Sequence, residues 1–549
     1  MPTEDAGASS RFDRRSFIKK SAVAGAGLMG AQALAPFAAA AKSQRRPNIL
    51  VVIVDQLRVP MWFPAQPQLD ALLPNLAGLR NRSTSFEGHY TAANMCVAAR
   101  GTMLTGLYGH QTGCMLTKAV AESSTLSHQF PTWGTMLREQ GYETTWWGKW
   151  HLGPKPDKTE GGLEEYGFDG GTYPSPNGNP EQGKEKDPKI VEQFLSWLEG
   201  AGSGPWCTTV SLVNPHDINW WPRFTTTDEV LEPTDYRFTM PPPNVETAAQ
   251  LKANKPRLQT ALEQTIAAVC GPVPNEGGAL EEASWEQMLT MYLIYQQEVD
   301  TQIGRVLSAL QARSDFVDDT IVIFTADHGE YSGSHGLRAK GGAAYEEAIN
   351  VPLYIYDPRG KLSNGPSTRS QLTSTVDLAP LLLTIAHGSR SWRHDPTYSQ
   401  IASRHDIAAI AHNPNAKGRK WIAHTTDETT IEELSYTYSF ADEAPHHVVA
   451  VRTPEAKYAV YSPWKKDSNE VETSEGEQDF ELYDYSTAAG QSELGNVAGS
   501  PSQLRTKMAK LHAKVIADEV RAPLPSRLAG AQQEGYEDFY ARSDELIGV

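Results

Sequence analysis

The sequence has only four cysteines among 549 residues, too few for a disulfide scaffold. Positive charge is also scarce, since 49 Lys and Arg face 66 Asp and Glu and the formal net charge is −17. Nonspecific nucleic-acid binding depends on neutralising phosphates with basic side chains, so no nucleic-acid partner is expected. Internal repeats and long low-complexity segments are absent as well. What remains is the composition of a globular protein, too long for one core of ordinary size.

The first 41 residues have the pattern of an export signal. Arg14 and Arg15 precede Phe17, and an Ala/Gly-rich stretch follows that ends in small residues. Its glycines and Pro36 make it a poor membrane span. The segment resembles a twin-arginine signal, which predicts cleavage, the twin-arginine export machinery as a partner, no integral membrane anchor afterwards, and a periplasmic or secreted location.

Short, continuous apolar runs rich in β-branched residues predict strands buried on both faces. They cover residues 48–54, 208–213, 320–325 and 351–356. Three of these runs lead directly into polar residues, namely Asp55, His216, and the pair Asp327 and His328. Because ligands of open parallel sheets bind beyond the carboxyl ends of the strands, these side chains are expected to converge on one pocket.

Helical periodicity separates the predicted strands. Apolar residues repeat at intervals of three and four from Met288 to Leu310, which predicts a long helix. The alternation predicts an α/β fold with a large, mixed, mostly parallel sheet sandwiched by helices. A composition shift near residues 427–445 suggests a boundary. We therefore expect a signal at 1–41, a main domain at 47–430, and a smaller C-terminal α+β subdomain at 431–549, with antiparallel strands, a helix and a tail.

The sharpest motif is Cys96-Val-Ala-Ala-Arg100, followed by a short segment ending in Thr105-Gly106. It resembles the signature of the type I sulfatases, which belong to the alkaline phosphatase-like superfamily. In that family a separate formylglycine-generating enzyme oxidises the cysteine to formylglycine, and the hydrated aldehyde supplies the nucleophile. The resemblance therefore implies a sulfuric ester hydrolase with a modified Cys96, acting on a small-molecule sulfate ester.

Further blocks extend the resemblance in the family's order. They are Gly141-Tyr-Glu-Thr144 with Gly148-Lys-Trp-His-Leu-Gly153, Pro215-His216, and Asp327-His-Gly-Glu330 continuing to Lys340. The likeness covers residue 48 to roughly residue 520. The main domain at 47–430 would then be the sulfatase catalytic domain.

A sulfate monoester is a dense anion, so its hydrolysis requires concentrated positive charge. The resemblance assigns a divalent metal to Asp55, Gln56, Cys96, Asp327 and His328. Gln56 and His328 depart from the commonest pattern, which has Asp and Asn at these places. A histidine nitrogen weakens the preference for Ca²⁺. Ca²⁺ is the first expectation, and Mn²⁺ or Zn²⁺ are alternatives.

The remaining catalytic roles are also carried over from the resemblance. Arg100, Lys149 and Lys340 would bind the sulfate, His216 or Lys340 would protonate the leaving alcohol, and His151 would act as base in the second half of the reaction. How the acid and base roles divide among these four Lys and His residues stays open at this point.

Two other hypotheses about the function compete with sulfate ester hydrolysis. A phosphodiesterase or phosphonate monoester hydrolase of the same superfamily resembles the chain at Asp55-Gln56 and Asp327-His328, whereas Lys149 and His151 are expected in sulfatases. The third interpretation is a catalytically silent binding protein in which Cys96 is never modified.

The remaining cysteines, Cys114, Cys207 and Cys270, allow at most one disulfide, and the sequence does not indicate which pair would form it.

Overall fold

A computed structural model gives the fold. It describes residues 45–61, 66–117, 126–153, 160–223, 238, 241–428, 430–433, 436–439, 444–465, 468 and 470–547. The predicted export signal lies outside these residues. Within them, no helix combines the length and the apolar character needed to cross a bilayer. All four cysteines are buried free thiols.

The largest sheet has eight strands in the order β5-β4-β6-β1-β7-β8-β2-β9. Their bounds are β1 (Asn48–Val54), β2 (Thr84–Phe86), β4 (Glu143–Gly148), β5 (Asp169–Gly170), β6 (Trp206–Leu212), β7 (Thr320–Ala326), β8 (Leu353–Tyr356) and β9 (Ser367–Arg369). The run from β5 to β7 is parallel, β8 is antiparallel to both β7 and β2, and β2 pairs with β9 in parallel. A separate parallel pair joins β3 (His89–Tyr90) to β10 (Thr373–Ser374).

The central strand β1 is wholly buried because helices cover both faces of the sheet. Ile49, Val51 and Ile53 belong to one apolar cluster, whereas the alternating residues Leu50 and Val52 belong to another. This alternation follows from the two-residue period of a strand. The expected α/β sandwich is therefore confirmed.

The helices connect and cover the strands. They are α1 (Gln66–Leu72), α2 (Pro74–Arg80), α3 (Cys96–Thr105), α4 (Gly109–Thr112), α5 (Trp133–Glu139), α6 (Gln182–Gly200), α7 (Ala248–Asn254), α8 (Arg257–Cys270), α9 (Ala279–Ala312), α10 (Glu346–Ile349), α11 (Leu378–His387), α12 (Ile407–His412), α13 (Ala488–Gln491), α14 (Gln503–Val515) and α15 (Ala529–Ile547). The helix predicted from the periodicity between residues 288 and 310 lies within α9, which begins nine residues earlier and ends two residues later.

A second, antiparallel sheet has the order β11-β14-β15-β16. Its strands are β11 (Ile422–Thr426), β14 (His447–Arg452), β15 (Ala456–Ser462) and β16 (Asp479–Asp484), and a hairpin joins β12 (Thr430–Glu433) to β13 (Tyr436–Ser439). This sheet and α14 supply the C-terminal α+β elements expected from sequence. The sheet starts before residue 430, while residues 44–549 form one compact unit. The division at residue 430 stays a prediction.

Candidate active site

Four adjacent parallel strands end at one edge of the main sheet and carry the chemistry there. Lys149 follows β4, Asp55 follows β1 and Asp327 follows β7, while His216 lies four residues after the end of β6. Val54 pairs with Ala326, so the two aspartates leave their strands side by side. The convergence predicted from the strand ends is therefore present, although the residues lie far apart in the chain.

Arg100 joins the two aspartates. Its Nη2 donates to Asp55 Oδ2 and its Nε donates to Asp327 Oδ2, both at 3.0 Å, while Nη1 donates to Ser211 Oγ at 2.9 Å and to the Lys149 carbonyl at 2.8 Å. Lys149 Nζ lies 2.7 Å from Asp55 Oδ2. All these charged side chains are fully buried. Burial opposes the charged form, yet Lys149 and the other cations hold the pKa of Asp55 well below its usual range.

Cys96 is the first residue of α3, and Arg100 lies one turn later on the same face of that helix. The sulfur lies 3.1 Å from His328 Nε2, 3.8 Å from Lys149 Nζ and 3.9 Å from Asp55 Oδ1. Burial and Asp55 disfavour a thiolate here, but Lys149, Lys340 and His328 outweigh them and lower the pKa of Cys96. The predicted nucleophile position is thus in the centre of the charged cluster.

Four donor atoms around Cys96 fit a divalent ion. Asp55, Cys96, Asp327 and His328 each offer a ligand atom within 4.8 Å of the others, and all four side chains are buried. His328 Nδ1 donates to the Gly329 carbonyl at 3.0 Å, so Nε2 faces the two aspartates and is the atom that could bind an ion once it is deprotonated. Although burial lowers it, Asp327, Cys96 and Asp55 raise the pKa of His328 to about 9. This pocket therefore favours one additional positive charge, which a metal would supply.

Gln56, the fifth predicted ligand, adopts a left-handed backbone conformation with φ 65° directly after Asp55. Its side-chain oxygen accepts a hydrogen bond from Lys340 at 2.7 Å, and its amide nitrogen donates to Glu330. Its backbone carbonyl accepts from Tyr292 at 2.6 Å. The amide is thus oriented with its oxygen toward the cationic side of the site, and its role as a metal ligand stays a prediction.

Lys340 Nζ makes three hydrogen bonds, to Gln56, to His216 Nε2 at 2.9 Å and to Asn219 Oδ1 at 3.0 Å. An ammonium has only donors, so it donates to His216 Nε2, which must be unprotonated. Burial, Lys340 and Lys149 lower the pKa of His216 well below its usual value. The two side chains proposed as alternative acids are therefore directly linked.

His151 lies two residues after Lys149, buried, with φ 59°. Burial, Lys149 and Arg100 lower its pKa well below the usual value, so it is neutral and able to accept a proton. Lys149 itself stays charged, because Asp55 and Cys96 outweigh its burial and raise its pKa.

Three residues of the cluster had no role in the sequence prediction. Ser211 lies on β6 and fixes Arg100, Asn219 binds Lys340, and Glu330 binds Gln56. Glu330 stands in the quoted Asp-His-Gly-Glu block, and Asn219 follows His216 closely, so proximity to a motif could have indicated both. Ser211 carries no such signal, since a polar residue inside a buried strand is common.

Comparison with known proteins agrees with this geometry. The sulfatase family model matches residues 47–389. The chain belongs to the sulfatase family, and its relatives are sulfuric ester hydrolases. It is 27% identical to the uncharacterized sulfatase YidJ of Escherichia coli over 375 residues, which is 62% of this chain and 68% of that protein. The family resemblance read from the motifs is confirmed.

Solved structures show the same fold. A candidate sulfatase from Bacteroides thetaiotaomicron superposes with a TM-score of 0.65 at 20% identity, covering 90% of this chain and 94% of that one. A phosphonate monoester hydrolase from Silicibacter pomeroyi superposes with a TM-score of 0.64 at 19% identity, covering 88% and 97%. Fold similarity alone therefore does not separate the two activities.

Proposed function

We propose that this sulfatase hydrolyses sulfate monoesters to an alcohol and inorganic sulfate, with formylglycine at position 96 as the source of the nucleophile. The observation that carries the proposal is the placement of Lys149 beside Cys96, 3.8 Å from its sulfur, in a pocket that also holds Arg100. A transferring sulfuryl group at Cys96 would lie next to a fixed, buried ammonium.

Asp55, Asp327, His328 and the residue at position 96 would hold the metal, and the Gln56 oxygen would complete the set. When bound, a divalent ion neutralises the two carboxylates and lowers the pKa of a coordinated hydroxyl. The mixed oxygen and nitrogen donors keep Ca²⁺ as the first proposal and leave Mn²⁺ or Zn²⁺ as alternatives.

The chain's own residues divide the proton transfers. Lys340 donates a hydrogen bond to neutral His216, so Lys340 would supply the proton of the leaving alcohol and His216 would orient it. His151 is neutral at pH 7 and takes the proton in the second step. Lys149 and Arg100 stay positively charged throughout the reaction, because each forms a buried ion pair with the Asp55 carboxylate.

Export and maturation belong to the same proposal. Residues 1–41 would direct the folded protein to the periplasm or the medium by the twin-arginine route, after a formylglycine-generating enzyme has modified Cys96. Intact mass tests maturation, because conversion of the thiol to the aldehyde removes about 18 Da. An unchanged mass would favour the silent binding protein instead.

Phosphodiester or phosphonate monoester hydrolysis is the second candidate, favoured by the Gln56 and His328 positions and by the Silicibacter pomeroyi structure. The deciding experiment compares an aryl sulfate, an aryl phosphate diester and an aryl phosphonate monoester under equal conditions, with Cys96→Ala as the blank. We expect the sulfate to give the highest kcat/KM. Efficient turnover of the diester, with the sulfate close to the blank, would reject the proposal.

A further inference from the structure

The end of β11 lies next to the segment that leads into α3, the helix that begins at Cys96. His424 Nδ1 donates to the Thr91 carbonyl and Thr425 N donates to the Ala92 carbonyl, both at 2.9 Å. Ala93 and Thr425 form a parallel bridge. The two segments are parallel, and Cys96 and Glu428 each lie three residues beyond the bridged pair. Both residues are therefore at the same end of the paired segments.

Glu428 is 2% exposed and only one of its oxygens is used. Oε2 accepts a hydrogen bond from the Thr117 backbone N–H at 2.7 Å. Oε1 is buried and has no hydrogen-bond partner among the described residues. Burial, with smaller contributions from Cys96 and Asp427, raises the pKa of Glu428 to about 7, although the hydrogen bonds from Thr117 lower it. A buried acceptor of this kind requires a donor, and the catalytic cluster does not supply one.

The residue before Glu428 holds this strand end in place. Asp427 accepts a hydrogen bond from His110 Nε2 at 2.8 Å and another from His447 Nδ1 at 2.5 Å, and all three side chains are buried. Trp464 packs over His447, with ring centroids 4.3 Å apart. The backbone directly before Glu428 is thus fixed by buried contacts, which favours a defined position for a recognition group.

We propose that Glu428 is a specificity residue whose Oε1 accepts a hydrogen bond from an O–H or N–H donor on the alcohol part of the substrate. The inference rests on the proposed sulfate ester hydrolysis and names the substrate class: esters of alcohols that carry a hydroxyl or an ammonium N–H close to the ester oxygen. A sulfate group has no donor and is anionic, so only the alcohol part of a bound ester could satisfy Oε1. An alcohol without a donor leaves Oε1 unsatisfied, and rejection of such analogues is strong in sites built for a hydrogen bond.

The test uses two zwitterionic substrates of equal charge and similar shape, 2-aminoethyl sulfate and its N,N,N-trimethyl analogue, with ethyl sulfate, an anion whose alcohol part is uncharged, as a reference. Sulfate release gives kcat/KM for each, and the quantity compared is the ratio of the amino to the trimethyl ester. The variant is Glu428→Gln, which keeps an oxygen for the Thr117 N–H and places an amide N–H where Oε1 was. The matched control is the exposed Glu475→Gln.

The native enzyme should prefer the amino ester, and Glu428→Gln should lower the ratio at least tenfold, whereas Glu475→Gln should keep the native ratio. A ratio that stays unchanged in Glu428→Gln overturns the inference. If Glu428→Gln does not fold, the native enzyme alone decides the question. Equal kcat/KM for the amino and the trimethyl ester would then overturn the inference. Calorimetry also measures the binding of both esters to Cys96→Ala and to the double variant Cys96→Ala, Glu428→Gln. This comparison does not depend on turnover. Absence of sulfate release by the native enzyme, with the binding preference intact, would reject the proposed function alone.

Discussion

Lys340 Nζ donates a hydrogen bond to His216 Nε2 across 2.9 Å. Since an ammonium cannot accept, this contact assigns the shared proton to Lys340 and leaves His216 as the acceptor. A histidine in this state cannot be the first proton donor to the leaving alcohol. The direction of this hydrogen bond therefore favours Lys340 over His216 as the acid in the proposed mechanism.

Replacement of Lys340 by Ala should slow esters with poor leaving groups far more than esters with good ones. General acid catalysis contributes about 10²–10⁴-fold, so kcat/KM for an alkyl sulfate should fall by that factor. An activated nitrophenyl sulfate needs little protonation and should lose much less. Rates for a series of aryl and alkyl sulfates give the dependence on leaving-group pKa. Equal losses across the series would contradict an acid role for Lys340.

Replacement of Arg100 by Met should destabilise the protein. Arg100 binds two buried carboxylates, and removal of one partner from a buried ion pair costs about 3–5 kcal/mol. The free energy of unfolding, measured by urea titration in the presence of a chelator, should fall by this amount. Arg390→Met serves as the control, because Arg390 is exposed and its side chain contacts only Asp406 among the pairs described. A loss below about 1 kcal/mol at Arg100 would contradict this account of the cluster.

Replacement of His328 by Asn should change which metal the protein retains. The variant exchanges the nitrogen donor for an oxygen, so Ca²⁺ should be kept while the affinity for Mn²⁺ and Zn²⁺ falls about tenfold or more. Metal content after dialysis against equimolar mixtures measures the change. His412→Asn, at an exposed position, is the control. If both proteins retain the same metals, His328 does not contribute to ion selection.

Metal binding should release a proton from His328. Its pKa is about 9 in the metal-free protein, above the value near 6.5 expected in the unfolded chain. The resulting stabilisation is fully present below pH 6.5 and is lost as pH rises through 9, an effect of roughly 3 kcal/mol. Metal affinity should accordingly increase from pH 6.5 to 9. Calorimetry in buffers of different ionisation enthalpy should detect about one proton released per ion at pH 7.5, and none in His328→Asn.

Much of the site could be predicted from sequence because its members lie at fixed distances from strand ends or within local motifs. Asp55 and Asp327 follow buried strands, and Cys96 and Arg100 share one helical turn. Local spacing determines both relations. Ser211 could not be assigned in this way, since its role depends on which distant side chain faces it, and Asn219 is indicated only by its closeness to His216.

The amino-acid sequence by itself determined the family and the α/β sandwich, and it indicated most of the side chains that meet at the strand ends, because strand patterns and short motifs are encoded in contiguous residues. Only the tertiary structure decided that Lys340 donates to His216, that Gln56 directs its oxygen to Lys340, and that the segments leading to Glu428 and to Cys96 run side by side. These relations arise because segments far apart in the sequence pack against each other. No local pattern specifies which buried polar groups then find a hydrogen-bond partner within the protein and which require a ligand.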